Sequence, residues 1–86
     1  MYAELIGDEL RSIRNRYKYS LKNIEEITGI HAQTLCEYEN GKVKITVFTL
    51  ERILKAYNMD LYIFFKIIYE NTHNLKLNEN LQEKRE

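Results

Sequence analysis

Eighty-six residues allow one domain and a modest hydrophobic core, so a partner subunit could contribute appreciably to stability. With 44% hydrophobic and 30% charged residues, no proline and three glycines, the composition suits several short helices better than a turn-rich all-β fold. One cysteine, Cys36, excludes an intrachain disulfide or thiolate cluster, and the formal net charge of zero hides an uneven distribution.

Residues 1–10 carry three acids (Glu4, Asp8, Glu9) and no base, whereas residues 11–58 carry nine bases and five acids. A basic middle between acidic ends is compatible with a nucleic-acid-facing surface. The unpaired cysteine fits a reducing cytoplasm, and the N-terminus lacks the basic and apolar regions of a secretory leader. The nine residues Leu61–Tyr69, interrupted by Lys66, fall far short of the ~20 that a helix needs to cross a bilayer.

Leu5, Ile6, Leu10, Ile13 and Tyr17 recur at helical spacing, so residues 4–17 read as an amphipathic first helix. Arg11, Arg14, Arg16 and Lys18 fall mainly outside that stripe, and the three arginines read as a solvated face, with a phosphate contact as the alternative. Ser20 is a good N-cap for a second helix with Leu21, Ile24 and Ile27 inward. Asn23 replaces the Glu that a full capping box would carry. Gly29 suits a left-handed residue past that helix, and residues 32–39 form a second short helix through Leu35 and Tyr38. Helix, glycine turn and helix, with Ile24, Ile30 and Leu35 inward, make a helix-turn-helix arrangement.

Asn40-Gly41 closes the third helix and opens a basic loop, Lys42-Val-Lys-Ile45. Thr46 can cap a fourth helix with a buried stripe of Leu50, Ile53, Leu54 and Tyr57, closed by Asn58. Residues 61–69 are too evenly apolar for one amphipathic face. They read as a strand, or as a closing helix if tertiary packing overrides propensity. A strand here would pair with its twin in a second subunit as a two-fold ribbon. The expected division is a domain over 1–69 and a polar, weakly ordered tail over 70–86.

The block Ser20–Lys42, SLKNIEEITGIHAQTLCEYENGK, resembles the lambda-repressor-like family of phage and bacterial helix-turn-helix regulators, the Cro/repressor type. Ser20, Ile24, Gly29-Ile30, Thr34-Leu35 and Glu39-Asn40-Gly41-Lys42 carry the likeness, and the flanks extend it over about residues 4–65. The resemblance implies an all-α domain of four to five helices, with the C-terminal strand as an open alternative. It also implies binding to a palindromic duplex operator as a homodimer, with repression by steric blocking.

The recognition helix is then Ala32–Glu39 with His31 in the cap slot, and the base-facing positions are Ala32, Gln33, Thr34 and Glu37. His31 reads either as a weak cap or as a groove-edge contact. Gln33 could grip adenine bidentately, and Glu37 could accept from cytosine N4. Asn40 and Lys42 correspond to phosphate-holding positions, and Lys44 extends the basic loop. Three positions depart from the family pattern: Leu21 in place of a phosphate-clamping glutamine, Glu25 in place of a small alanine, and Glu37 in place of a basic or amide residue.

Tyr62, Ile63, Phe64, Phe65 and Ile67 are the candidate dimer interface, since so short a chain has little else to cover that apolar surface. Two further readings stay open. One is an antitoxin that binds DNA and silences a toxin; the other is a protein-interaction adaptor that has lost DNA. No residue pattern supplies a catalytic site, a cofactor cradle or a metal site, His31 and His73 being far apart with no cysteine pair. An enzyme is not expected.

Overall fold

The computed structural model describes the backbone of residues 2–85 and the side chains of residues 2–73. Five helices follow in order: α1 (Tyr2–Arg16), α2 (Leu21–Thr28), α3 (Ala32–Glu39), α4 (Val47–Lys55) and α5 (Leu61–Arg85). The all-α expectation holds, and no strand occurs among the described residues.

Local signals account for the helix ends. Ser20 caps α2, its Oγ accepting from Asn23 N at 3.0 Å. Asn23 completes the box after all, its Oδ1 accepting from Ser20 N at 2.8 Å, because a short amide reaches the cap backbone as a glutamate would. Thr46 caps α4 in the same way, accepting from Thr49 N at 3.1 Å. Four helices stop on left-handed residues: Lys18 (φ 58°), Gly29 (78°), Gly41 (70°) and Asn58 (53°). At Lys18, Gly41 and Asn58 the next residue's N–H reaches back five residues, to Arg14 O, Glu37 O and Leu54 O, the bonding of a Schellman motif. Lys18 is the unusual member, since its Cβ is strained at a positive φ where glycine would not be.

The core gathers one stripe from each helix: Leu10 and Ile13, Ile24, Leu35, Leu50, Ile53, Leu54 and Tyr57, and Phe64. Tyr57 is sealed well enough that burial pushes its phenol up to about 12. Two expected core residues lie outside. Ile27 is 54% exposed, and its place is taken one position later by Thr28. The Thr28 hydroxyl donates to Ile24 O at 2.7 Å and accepts from Ile30 N at 3.1 Å, so a buried polar group is fully paired. Tyr17 is 47% exposed, yet its ring meets that of Tyr57 edge-on at 5.1 Å and its hydroxyl ties α1 to the end of α4 by donating to Tyr57 O at 3.0 Å.

The segment after Asp60 is helical, not a strand. Asp60 Oδ1 accepts from Ile63 N at 2.8 Å and Asp60 O from Phe64 N at 3.1 Å, which nucleates α5. Leu61, Phe64 and Ile68 then fall on one side against α1 and α4. Phe64 is therefore withdrawn from the proposed interface: it is 0% exposed in its own chain and has no surface to give a partner.

Gly7 decides how closely α1 and α3 approach. A Cβ there would lie 2.5 Å from Tyr38 O and 2.6 Å from Glu39 O, and backbone oxygens at a helix end cannot swing aside. Gly7→Ala is expected to destabilise the domain by about 1–3 kcal/mol through overpacking. Thermal unfolding followed by circular dichroism should show Tm falling by ~5–15 °C. An unchanged Tm would mean that the helices separate at no cost.

Candidate nucleic-acid interface

The short helices α2 and α3 are each eight residues long, below the length that persists alone in water, so their geometry must be imposed by neighbours. Three devices do this. Leu35 and Ile24 enter the common core. Arg52 from α4 donates through Nη2 to Thr28 O at 2.6 Å, satisfying a carbonyl at the end of α2. The third device is a buried ion pair at the far end of α3.

Glu39, 7% exposed, receives two parallel hydrogen bonds from Arg14: Nε to Oε2 at 2.7 Å and Nη2 to Oε1 at 2.9 Å. This bidentate fork is the strong form of the contact, and it raises the Arg14 pKa further above its usual value. Arg14 Nη1 also donates to Tyr19 O at 3.0 Å. Arg11 adds hydrogen bonds to Glu39 O at 3.2 Å and to Asn40 Oδ1. Arg11 and Arg14 thus lock α1 to α3, which the reading of them as a solvated face did not foresee. Arg16 lies over a second buried carboxylate, Glu9, with Nη2 3.5 Å from an Oε2 that makes no hydrogen bond.

With Leu35 and Glu39 held inward, the opposite side of α3 faces out. Gln33 is exposed, and Ala32, Thr34 and Glu37 are half-buried beside it. His31 precedes them with its ring almost wholly in solvent, and its side chain makes no cap hydrogen bond, so the cap reading fails. Asn40 is exposed, but Arg11 holds its amide oxygen and its Nδ2 donates to Cys36 Sγ at 3.4 Å. Lys42 and Lys44 project from the loop that follows. Gln33 thus lies near the start of α3, whereas Asn40, Lys42 and Lys44 lie at and beyond its end.

Two features were not foreseen: the residue that Glu25 touches, and an exposed apolar pair. Glu25, in place of the family's small alanine, is half-buried and reaches His31, its Oε2 3.3 Å from Nδ1. Val47 and Phe48, 56% and 83% exposed, stand in the first turn of α4 next to the basic loop. The signal for the second was present: Thr46 as cap puts both outside the Leu50–Tyr57 stripe.

Among the described residues no group of three histidine, cysteine or acidic side chains is placed to hold a metal ion, and no helix is long and apolar enough to cross a membrane. The chain is 34% identical over 56 residues to a protein of Methanothermobacter thermautotrophicus (strain Delta H) named as an HTH-type transcriptional regulatory protein. That likeness covers 62% of this chain and only 18% of the relative. The family profile described as helix-turn-helix matches residues 10–64, from the core leucine of α1 to the buried phenylalanine of α5. Matched over more than half its length, on the helices that build this interface, the chain belongs to the Cro/repressor-type helix-turn-helix family.

Proposed function

We propose that the protein regulates transcription by binding duplex DNA as a homodimer, setting α3 of each copy into a major groove and blocking polymerase. The observation that carries this reading is the outward face of α3. Gln33 stands exposed on a helix whose other side is fixed to α1 by the Arg14–Glu39 fork, so it is presented on a rigid support. Gln33 donates to and accepts from one base edge, Thr34 and Glu37 contact neighbouring bases, and Lys42 and Lys44 hold phosphates. Asn40 contributes its remaining amide hydrogen.

Dimerisation is supported by α5. Tyr62, Phe65 and Tyr69 form an exposed strip at helical spacing, with Tyr2 of α1 beside it, and Ile63 and Ile67 lie on an adjoining strip. Because α5 packs on α1 and α4 without touching α3, a partner there leaves the recognition helix free. Two copies can then face successive major grooves ~34 Å apart. The same strip favours a second reading, in which a different protein, such as a toxin, covers it.

Selection from a random duplex pool, followed by binding assays of the selected site, tests the proposal. Gln33→Ala should relax preference at one or two base pairs, costing ~1–3 kcal/mol there. Lys42→Ala should weaken all sequences about equally and reduce the salt slope by roughly one. No retardation of any duplex at low salt would sink DNA binding and leave the adaptor reading.

A further inference from the structure

We propose that Glu25 positions His31 as a proton-gated contact to the DNA backbone, so that binding takes up a proton and tightens as pH falls. The proposal rests on the DNA-binding reading above and adds to it a residue that departs from the family pattern.

The geometry is asymmetric about the imidazole ring. Nδ1 lies 3.3 Å from Glu25 Oε2, and the side chain is 87% exposed, so Nε2, on the other edge of the ring, faces solvent. His31 immediately precedes α3, two residues before the exposed Gln33. In the proposed complex, a DNA strand bordering the groove that receives α3 would pass this point. With a carboxylate accepting from Nδ1–H, the neutral ring is held in the tautomer whose Nε2 carries a bare lone pair. That lone pair repels a phosphate oxygen. The imidazolium keeps the Glu25 bond and presents an Nε2–H donor instead, so one proton converts a repulsive contact into a charge-assisted hydrogen bond.

Besides Glu25, the charged groups on α2, α3 and α4 are Lys22 and Glu26, Glu37 and Glu39, and Glu51, Arg52 and Lys55, with Glu39 committed to Arg14. Arg52 is committed to Thr28 O, which leaves Glu25 as the group bonded to the ring. The sign follows from linkage: phosphates favour the charged ring, so the complex binds more protons than the free chain, and affinity rises as pH falls through the imidazole range.

Fluorescence anisotropy at fixed ionic strength, with a selected duplex between pH 8 and pH 6, tests this. The wild type should bind about three- to tenfold tighter at pH 6. His31→Asn, which supplies a good helix cap and a neutral side chain, should bind with a flat profile. Glu25→Ala, which releases Nδ1 and frees the ring to reorient, should weaken binding at pH 6 and flatten the pH profile. His73→Gln, on α5 and stacked on Tyr69, should behave as wild type. A wild-type slope in His31→Asn, or a wild-type pH profile in Glu25→Ala, overturns the proposal. So does a flat wild-type profile with DNA binding intact, which spares the broader reading. Absence of DNA binding at every pH overturns both.

Discussion

Glu39→Ala is expected to destabilise the domain by about 3 kcal/mol or more, the cost of stranding a buried charge when its partner is removed. Arg14 keeps only 16% of its side chain exposed, so water cannot replace the lost carboxylate fully, whereas Arg11 at 41% can be rehydrated. The expected value therefore sits near the low end of the range for fully buried pairs. Against a typical total of about 5–15 kcal/mol, this is a large fraction for so small a domain. Urea titration should show the midpoint falling with an unchanged slope. Glu37→Ala, two residues earlier and outward, should change stability by less than ~0.5 kcal/mol. Equal effects at the two positions would refute the ion pair as the anchor of α3.

Phe64→Ala is expected to cost about 3–5 kcal/mol, because a fully buried ring leaves a cavity where α5 meets α1 and α4. Its neighbour should behave differently. Phe65 is 41% exposed and packs edge-on against Phe64 with centroids 5.4 Å apart, so Phe65→Ser should unfold the domain far less. In sedimentation velocity, Phe65→Ser should convert a dimer into a folded monomer if the α5 strip joins two copies. A dimer that survives Phe65→Ser would move the interface elsewhere. A wild type that is already monomeric would favour a foreign partner for the strip.

The two phenylalanines illustrate what could be read from the chain. Apolar composition placed residues 61–69 at the edge of the domain, but it did not divide the segment into a core side and an outer side. The signal that divides it is Asp60. As a cap it starts a helix, after which Leu61, Phe64 and Ile68 fall inward and Tyr62, Phe65 and Tyr69 outward. High β-propensity there loses to a core slot, left by Leu50, Leu54 and Tyr57, that accepts one ring at helical spacing. Ile27 and Thr28 repeat the lesson on a smaller scale, since a three-residue and a four-residue step from Ile24 are both helical and only packing selects between them.

The helix-turn-helix itself was determined by the sequence, because its signals are local. Ser20 with Asn23, Gly29, Gly41, Thr46 and Asn58 each act on backbone groups within five residues, so capping and the left-handed stops need no distant partner. What presents that motif to DNA was decided only by the tertiary structure. Gly7 is required by carbonyls more than thirty residues away, and Glu39 by an arginine 25 residues before it. A glutamate near a helix end reads as surface until an arginine is placed against it, since burying a carboxylate is favourable only with its partner present. The same contacts take Arg11 and Arg14 out of the pool of phosphate-binding cations. They leave Gln33, Lys42 and Lys44, with His31 held by Glu25, as the face that meets DNA in the proposed complex.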